Sequence, residues 1–130
     1  MLFRSAVQQL ESLTLAAPGD AHVWQLLGFA YREEQRMSEA ARAFRRAAEL
    51  DAHDAKSALG VAQSSFESGL PATELFRTAL NLEPGNPAAI GGLANALAAE
   101  GQPAAAQETL VKVLNRDADW LEGQIGRAHV

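Results

Sequence analysis

The sequence contains no cysteine. That removes disulfides, thiolate metal sites and cysteine nucleophiles together, and it leaves the redox compartment open. Aromatic residues are scarce, at 6% of a chain that is 48% hydrophobic, so a core here must be mostly alanine and leucine. Such a composition favours closely packed helices over sheets, because alanine is the best helix former and strands draw on β-branched and aromatic residues. Positive charge is also short: 11 Lys and Arg against 16 Asp and Glu leave a formal net charge of −5. Binding to a phosphate backbone needs a basic stripe, so nucleic acid is not an expected partner. No apolar run approaches the ~20 residues that cross a bilayer, so a membrane partner is not expected either. No long apolar segment follows Met1-Leu2-Phe3-Arg4, as a signal peptide would require, which leaves the cytoplasm as the default expectation. A chain of 130 residues is one domain or one piece of an array.

What the chain does have is periodicity, clearest over residues 21–54. Trp24, Leu27, Gly28 and Tyr31 fall at i, i+3, i+4 and i+7 of one helical face, and Ala40, Phe44 and Ala47 share a face of a second helix. The polar stretch Glu33-Glu34-Gln35-Arg36-Met37-Ser38 separates them, with Ser38 expected to cap the second helix. The block is 34 residues long without a gap. In length, and in the order of these seven landmarks, it strongly resembles the tetratricopeptide repeat. Ala52 stands where that pattern places a proline. The resemblance implies an all-α fold: a right-handed α-solenoid of antiparallel helix hairpins.

The neighbouring segments keep the register. Ala6, Leu10, Leu13 and Pro18 take the places of Ala40, Phe44, Ala47 and Ala52, so residues 6–20 read as the second helix of a truncated repeat. Asp20 is expected to cap the helix that carries Trp24. Residues 55–86 read as a repeat with Ala58, Val61, Ala62 and Ser65 in its first helix and Ala72, Phe76, Ala79 and Leu82 in its second. Asp54 is its expected N-cap, Gly69 fits the end of the first helix, and Pro71 fits the first turn of the second. Two residues are missing here against the 34-residue period, and placing the loss at the turn between the helices should tighten this hairpin. Residues 87–120 form a further repeat. Asn86-Pro87 opens it, Ile90, Leu93, Ala94 and Leu97 line its first helix, and Ala106, Leu110 and Val113 line its second. Residues 121–124 read as the start of one more. Leu2-Phe3-Arg4-Ser5, at the start, and residues 125–130, at the end, resemble peptides encoded by sequencing-adapter DNA, so residues 1–5 and 125–130 are expected to be a non-native leader and tail on a fragment. The end helices are then expected to fray and to self-associate through Val7, Leu10 and Leu13 on one side and Trp120 and Leu121 on the other.

No stretch reads as an active site. Asp51-Ala52-His53-Asp54 has metal-ligand residue types but lies at an inter-repeat turn, where aspartate caps helices. Ser64-Ser65 has no base at a motif spacing, Glu33-Glu34 defines no pocket, and Gly91-Gly92 lacks a strand before it, so close helix packing is its expected role. No metal and no cofactor are expected. The family resemblance instead implies binding of a partner protein or extended peptide in the concave groove lined by the first helices. Helical phase puts His22, Gln25, Phe29, Arg32 and Glu33 there, followed by Lys56, Leu59, Gln63, Phe66 and Glu67. Ala88, Gly91, Asn95, Ala98 and Ala99 continue the row. Phe29, Leu59 and Phe66 fit core packing equally well. Some family members grip a chaperone's C-terminal carboxylate with Lys and Asn. Here those places hold Gln25, Phe29, Gly60, Ala88 and Gly92, and Asn95 is in the wrong repeat, so such a clamp is not expected. Two functions follow: an interaction scaffold with no catalysis of its own, or the repeat arm of a larger bacterial enzyme of sulfotransferase, glycosyltransferase or oxygenase type.

Overall fold

The computed structural model describes residues 5–113 and 115, and all regular structure among them is helical. The helices are α1 (Ala6–Ala16), α2 (Ala21–Glu33), α3 (Met37–Leu50), α4 (Ala55–Glu67), α5 (Thr73–Leu82) and α6 (Pro87–Ala99), followed by α7 over residues 103–113. None of the described helices is long and apolar enough to cross a membrane.

Two kinds of turn alternate along the chain, and each is written in the sequence. The helices α2, α4 and α6 start from side-chain caps. Asp20 accepts from the His22 amide at 3.0 Å, Asp54 from the Ser57 amide at 3.2 Å, and Asn86 from the Ala88 and Ala89 amides at 2.9 and 3.2 Å, with Pro87 opening α6. Each cap satisfies amides that have no carbonyl four residues earlier, a contribution of about 1 kcal/mol. The same three helices end in Schellman turns. The amides of Arg36, Leu70 and Gln102 reach back to the carbonyls of Tyr31, Ser65 and Leu97 at 2.9, 2.9 and 2.8 Å. That turn needs a left-handed residue, supplied by Gln35 (φ +62°), Gly69 (φ +79°) and Gly101 (φ +80°).

Where the second helices begin, the sequence expectation requires correction. The N-cap of α3 is Arg36 rather than Ser38, with no side-chain cap bond. The Schellman turn fixes the chain direction by residue 36, so the helix starts before the serine. Pro71 likewise lies outside α5, whose N-cap is Ala72. The two missing residues do not tighten the hairpin. Residues 34–36 connect α2 to α3, whereas residues 68–72 connect α4 to α5, and the loss falls on α5, which has 10 residues against 14 in α3. Leu70 and Pro71 occupy the length that a first helical turn fills in α3, because a residue before proline is pushed towards extended backbone.

The core explains the glycines. Phe44 is fully buried, and a Cβ added at Gly28 of α2 or Gly60 of α4 would come within 2.8 or 2.6 Å of its ring. One phenyl group thus fills the space that two neighbouring helices leave open. Phe76 repeats the device one repeat later, where a Cβ at Gly92 would meet its ring at 2.1 Å. Each ring contributes about 2–3 kcal/mol of burial, and its site tolerates no extra atom. Around them gather Leu27, Tyr31, Ala40 and Val61 in one cluster and Ala62, Leu93, Ala94 and Leu97 in the next. At the first end Val7 is only 2% exposed and belongs to the first cluster, which corrects its expected place on an open face; Leu13 is half exposed. Trp120 and Leu121 lie outside the described residues.

Among α1 to α6 every helix packs on the next in sequence, and α2 also touches α4 as α4 touches α6. The helices α1, α3 and α5 make no such contact with one another. A row that touches along one side and splays on the other is curved, with α2, α4 and α6 on its inner face.

Candidate partner-binding groove

The inner face is built from the parts of α2, α4 and α6 that do not enter the core. His22 lies exposed in the first turn of α2, and Lys56 is exposed in the first turn of α4. Gln25 is not free to meet a partner with its amide group: its Nε2 donates to Asp54 Oδ2 at 2.8 Å and approaches Ser57 Oγ at 3.5 Å. Asp54 therefore caps α4 through one oxygen and ties α2 to α4 through the other, while the Ser57 hydroxyl also donates to it. Farther along, Arg32 forms a second tie. It donates to Gln63 Oε1 at 2.9 Å and to Glu67 Oε1 at 3.0 Å. Phe29 is 40% exposed, and it meets the buried Phe44 edge-to-face at 5.0 Å. Leu59 and Phe66 are partly buried against the core, and Phe66 stacks edge-to-face on Phe76 at 6.5 Å.

The other half of the face is different in kind. Ala88, Asn95, Ala98 and Ala99 are exposed on α6, and a Cβ added at Gly91 would meet nothing within 4 Å. The glycine pair therefore divides: Gly92 is packed under Phe76, as expected of the pair, whereas Gly91 faces open space on the groove row where helical phase puts it. Asp51, His53 and Asp54 act within the backbone. Asp51 accepts from the His53 amide at 3.1 Å, and Asp54 is the α4 cap.

Two clefts sit where the first helices end. One, of about 510 Å³, is lined by Phe29, Arg32, Glu33, Gln35, Met37 and Glu67. The other, of about 290 Å³, is lined largely by Phe66, Leu70, Pro71, Ala96 and Ala99, with Glu100 also on its wall. Helical phase locates Phe29, Arg32, Glu33, Phe66, Glu67 and Ala99 but misses Ala96 of α6, Met37 at the start of α3, and Gln35, Leu70 and Pro71 of the turns; the only signal for the turn residues is that both turns must hold a left-handed residue.

The strongest electrostatic cluster lies at the start of α3, beside the first cleft. Arg36 donates to both oxygens of Glu39 at 2.9 and 2.5 Å and to Glu34 at 3.1 Å, and its guanidinium covers the Tyr31 ring at 4.7 Å from the centroid. Hydrogen bonding from Arg36 holds the Glu39 carboxyl below its ordinary range. Burial pushes the Tyr31 phenol above its ordinary value, helped by the charges of Glu11 and Glu39.

Comparison with known proteins agrees with this geometry. Family models described as tetratricopeptide repeat match residues 21–54 and 71–129. A crystal structure of MamA is similar with a TM-score of 0.81 at 19% identity, over 89% of this chain and 69% of that one. A second MamA structure gives 0.84 at 19% identity, over 89% and 64%, so the chain spans 64% to 69% of the length of these relatives. The second repeat domain of human RPAP3, solved by NMR in complex with the HSP70 peptide SGPTIEEVD, gives 0.66 at 25% identity, over 69% of this chain and 77% of that domain. A comparison with curated proteins gives no match.

Proposed function

The chain belongs to the tetratricopeptide repeat family, and from that premise we propose that it is an interaction scaffold that holds an extended segment of a partner protein along α2, α4 and α6, without catalysis of its own. The observation that carries this reading is the open inner face: the three first helices touch in succession, the second helices splay, polar His22, Lys56 and Asn95 stand exposed on α2, α4 and α6 in turn, and Gly91 leaves open space on α6. Gln25, Phe29, Arg32, Gln63 and Phe66 form its walls. The ties between α2 and α4 hold that half of the groove in one shape before a ligand arrives, which lowers the ordering cost of binding. The RPAP3 domain with its bound peptide supports the same use of the fold. A carboxylate clamp of the chaperone-binding kind is disfavoured, since Gly60 and Gly92 lie under phenyl rings and the Gln25 amide group is taken by Asp54.

Peptide selection against the immobilised protein, followed by binding to a Gly91→Trp variant, tests the proposal. A Cβ at Gly91 meets nothing within 4 Å, so a bulky side chain there projects over the inner face. Selected ligands should lose at least tenfold in affinity, a change of about 1.4 kcal/mol. Ligands that bind the variant as well as the parent would sink the reading.

A further inference from the structure

The two clefts at the ends of the first helices occupy the same place in successive repeats. Each lies beside a left-handed turn residue, Gln35 in one and Gly69 in the other, and each is closed by the last turn of the following first helix, at Glu67 and at Ala99. They meet on α4, where the consecutive residues Phe66 and Glu67 line one cleft each. Their chemistry differs in balance: the first is mostly polar and the second mostly apolar. The first sets two carboxylates, Glu33 and Glu67, against the single guanidinium of Arg32, which is already bonded to Glu67 and Gln63. It is left with one net negative charge beside the exposed ring of Phe29. The second is walled by Phe66, Pro71, Ala96 and Ala99, with Leu70 56% exposed, and Glu100 is its one charged residue.

Resting on the groove reading above, we infer that these clefts are consecutive side-chain subsites for one extended partner peptide: a lysine or arginine in the first and an aliphatic side chain in the second, three residues apart. One cation neutralises the first cleft. Its methylene stem covers Phe29 and Met37, and its charge lies between the ring face and the free carboxylate oxygens. An aliphatic side chain covers Leu70 and Phe66 in the second, where the wall is mostly apolar and a polar group would lose water against it. The spacing follows from packing. Neighbouring helix axes lie about 8–10 Å apart. A polyproline II chain rises about 3.1 Å per residue with three residues per turn, so positions i and i+3 face the same side about 9 Å apart. A β-strand does not fit, because its residues i and i+3 face opposite sides. The ligand class is therefore a basic–x–x–aliphatic segment, in one chain direction or the other, in polyproline II form.

The test is an amide chemical-shift titration of the whole chain with capped Arg-Pro-Pro-Leu and Leu-Pro-Pro-Arg peptides. Controls replace arginine by glutamate, leucine by serine, or remove one proline. One of the two orders should shift the amides of Glu33, Glu67, Leu70 and Ala99. Each control should bind about fivefold more weakly, the size of one exposed ionic or apolar contact. Glu33→Gln should weaken the arginine peptide by a similar factor, and Leu70→Ser should erase the advantage of leucine over serine. Both positions are solvent-facing, so these variants keep the fold. Equal binding of the glutamate peptide, or shifts absent from both clefts, would overturn the inference. If ligands selected against the groove still lose binding to Gly91→Trp while the clefts show no shifts, only the subsite assignment fails; if they also ignore Gly91→Trp, the groove reading fails with it.

Discussion

At the residue scale, the adjacent glycines Gly91 and Gly92 separate two roles that a sequence shows as one. Helical neighbours point about 100° apart, so one faces Phe76 and the other open solvent. Gly91→Ala should raise stability by about 1 kcal/mol through helix propensity alone. Gly92→Ala and Gly60→Ala must displace a buried phenyl ring and should lower it by about 1–3 kcal/mol, net of the same propensity gain. Thermal or urea unfolding of the three variants checks the contrast in sign. Gln35 offers a second residue-level prediction. It takes a left-handed conformation that Gly69 and Gly101 fill elsewhere, so Gln35→Gly should stabilise the chain by up to about 1 kcal/mol, read by the same unfolding curves. Tyr31 is the only tyrosine in the chain, so its phenolate absorbance reports one group. The folded protein should titrate above the free value of about 10. Because the folded pKa is raised, the stability it contributes is complete below pH ~10 and is lost as pH rises through the folded value.

At the element scale, the faces were legible and the boundaries were not. The spacing of Trp24, Leu27, Gly28 and Tyr31, and of Ala40, Phe44 and Ala47, marks the core because packing repeats with the helical period. Asp20, Asp54 and Asn86 were legible as caps because a cap is a local event. Ser38 and Pro71 misled for a different reason. The second helices begin where the preceding Schellman turn releases the chain, not where the nearest capping residue or proline stands. The ties of Gln25 to Asp54 and of Arg32 to Gln63 and Glu67 were invisible because they depend on the lateral distance between helices 29 to 35 residues apart in sequence. The start of α3 yields a pH prediction. The Glu39 pKa is lowered by Arg36, so its contribution is present above the unfolded carboxylate value of about 4.3 and is lost as pH falls through the folded value. Wild type should therefore exceed Glu39→Gln in stability near pH 7, with the difference closing below pH ~4. A difference constant with pH would mean that the ion pair contributes nothing.

Across the whole molecule, exposed apolar side chains stand at both ends of the described array, in addition to Leu26 and Leu70 between them. Leu15 of α1 is 86% exposed, and Leu110 and Val111 of α7 are about half exposed. We propose that a second copy covers these surfaces at high concentration, so sedimentation velocity should show mass rising with loading. A Leu15→Glu, Leu110→Glu double variant should remain monomeric. The central claim is that partners are held on the inner row of α2, α4 and α6. Amide hydrogen exchange with and without a selected peptide tests it most directly. The account predicts slower exchange along those three helices, and at the turns near Gln35 and Gly69, with α1, α3 and α5 unchanged. Protection confined to α1, α3 and α5 would place the partner on the outer face and contradict the account.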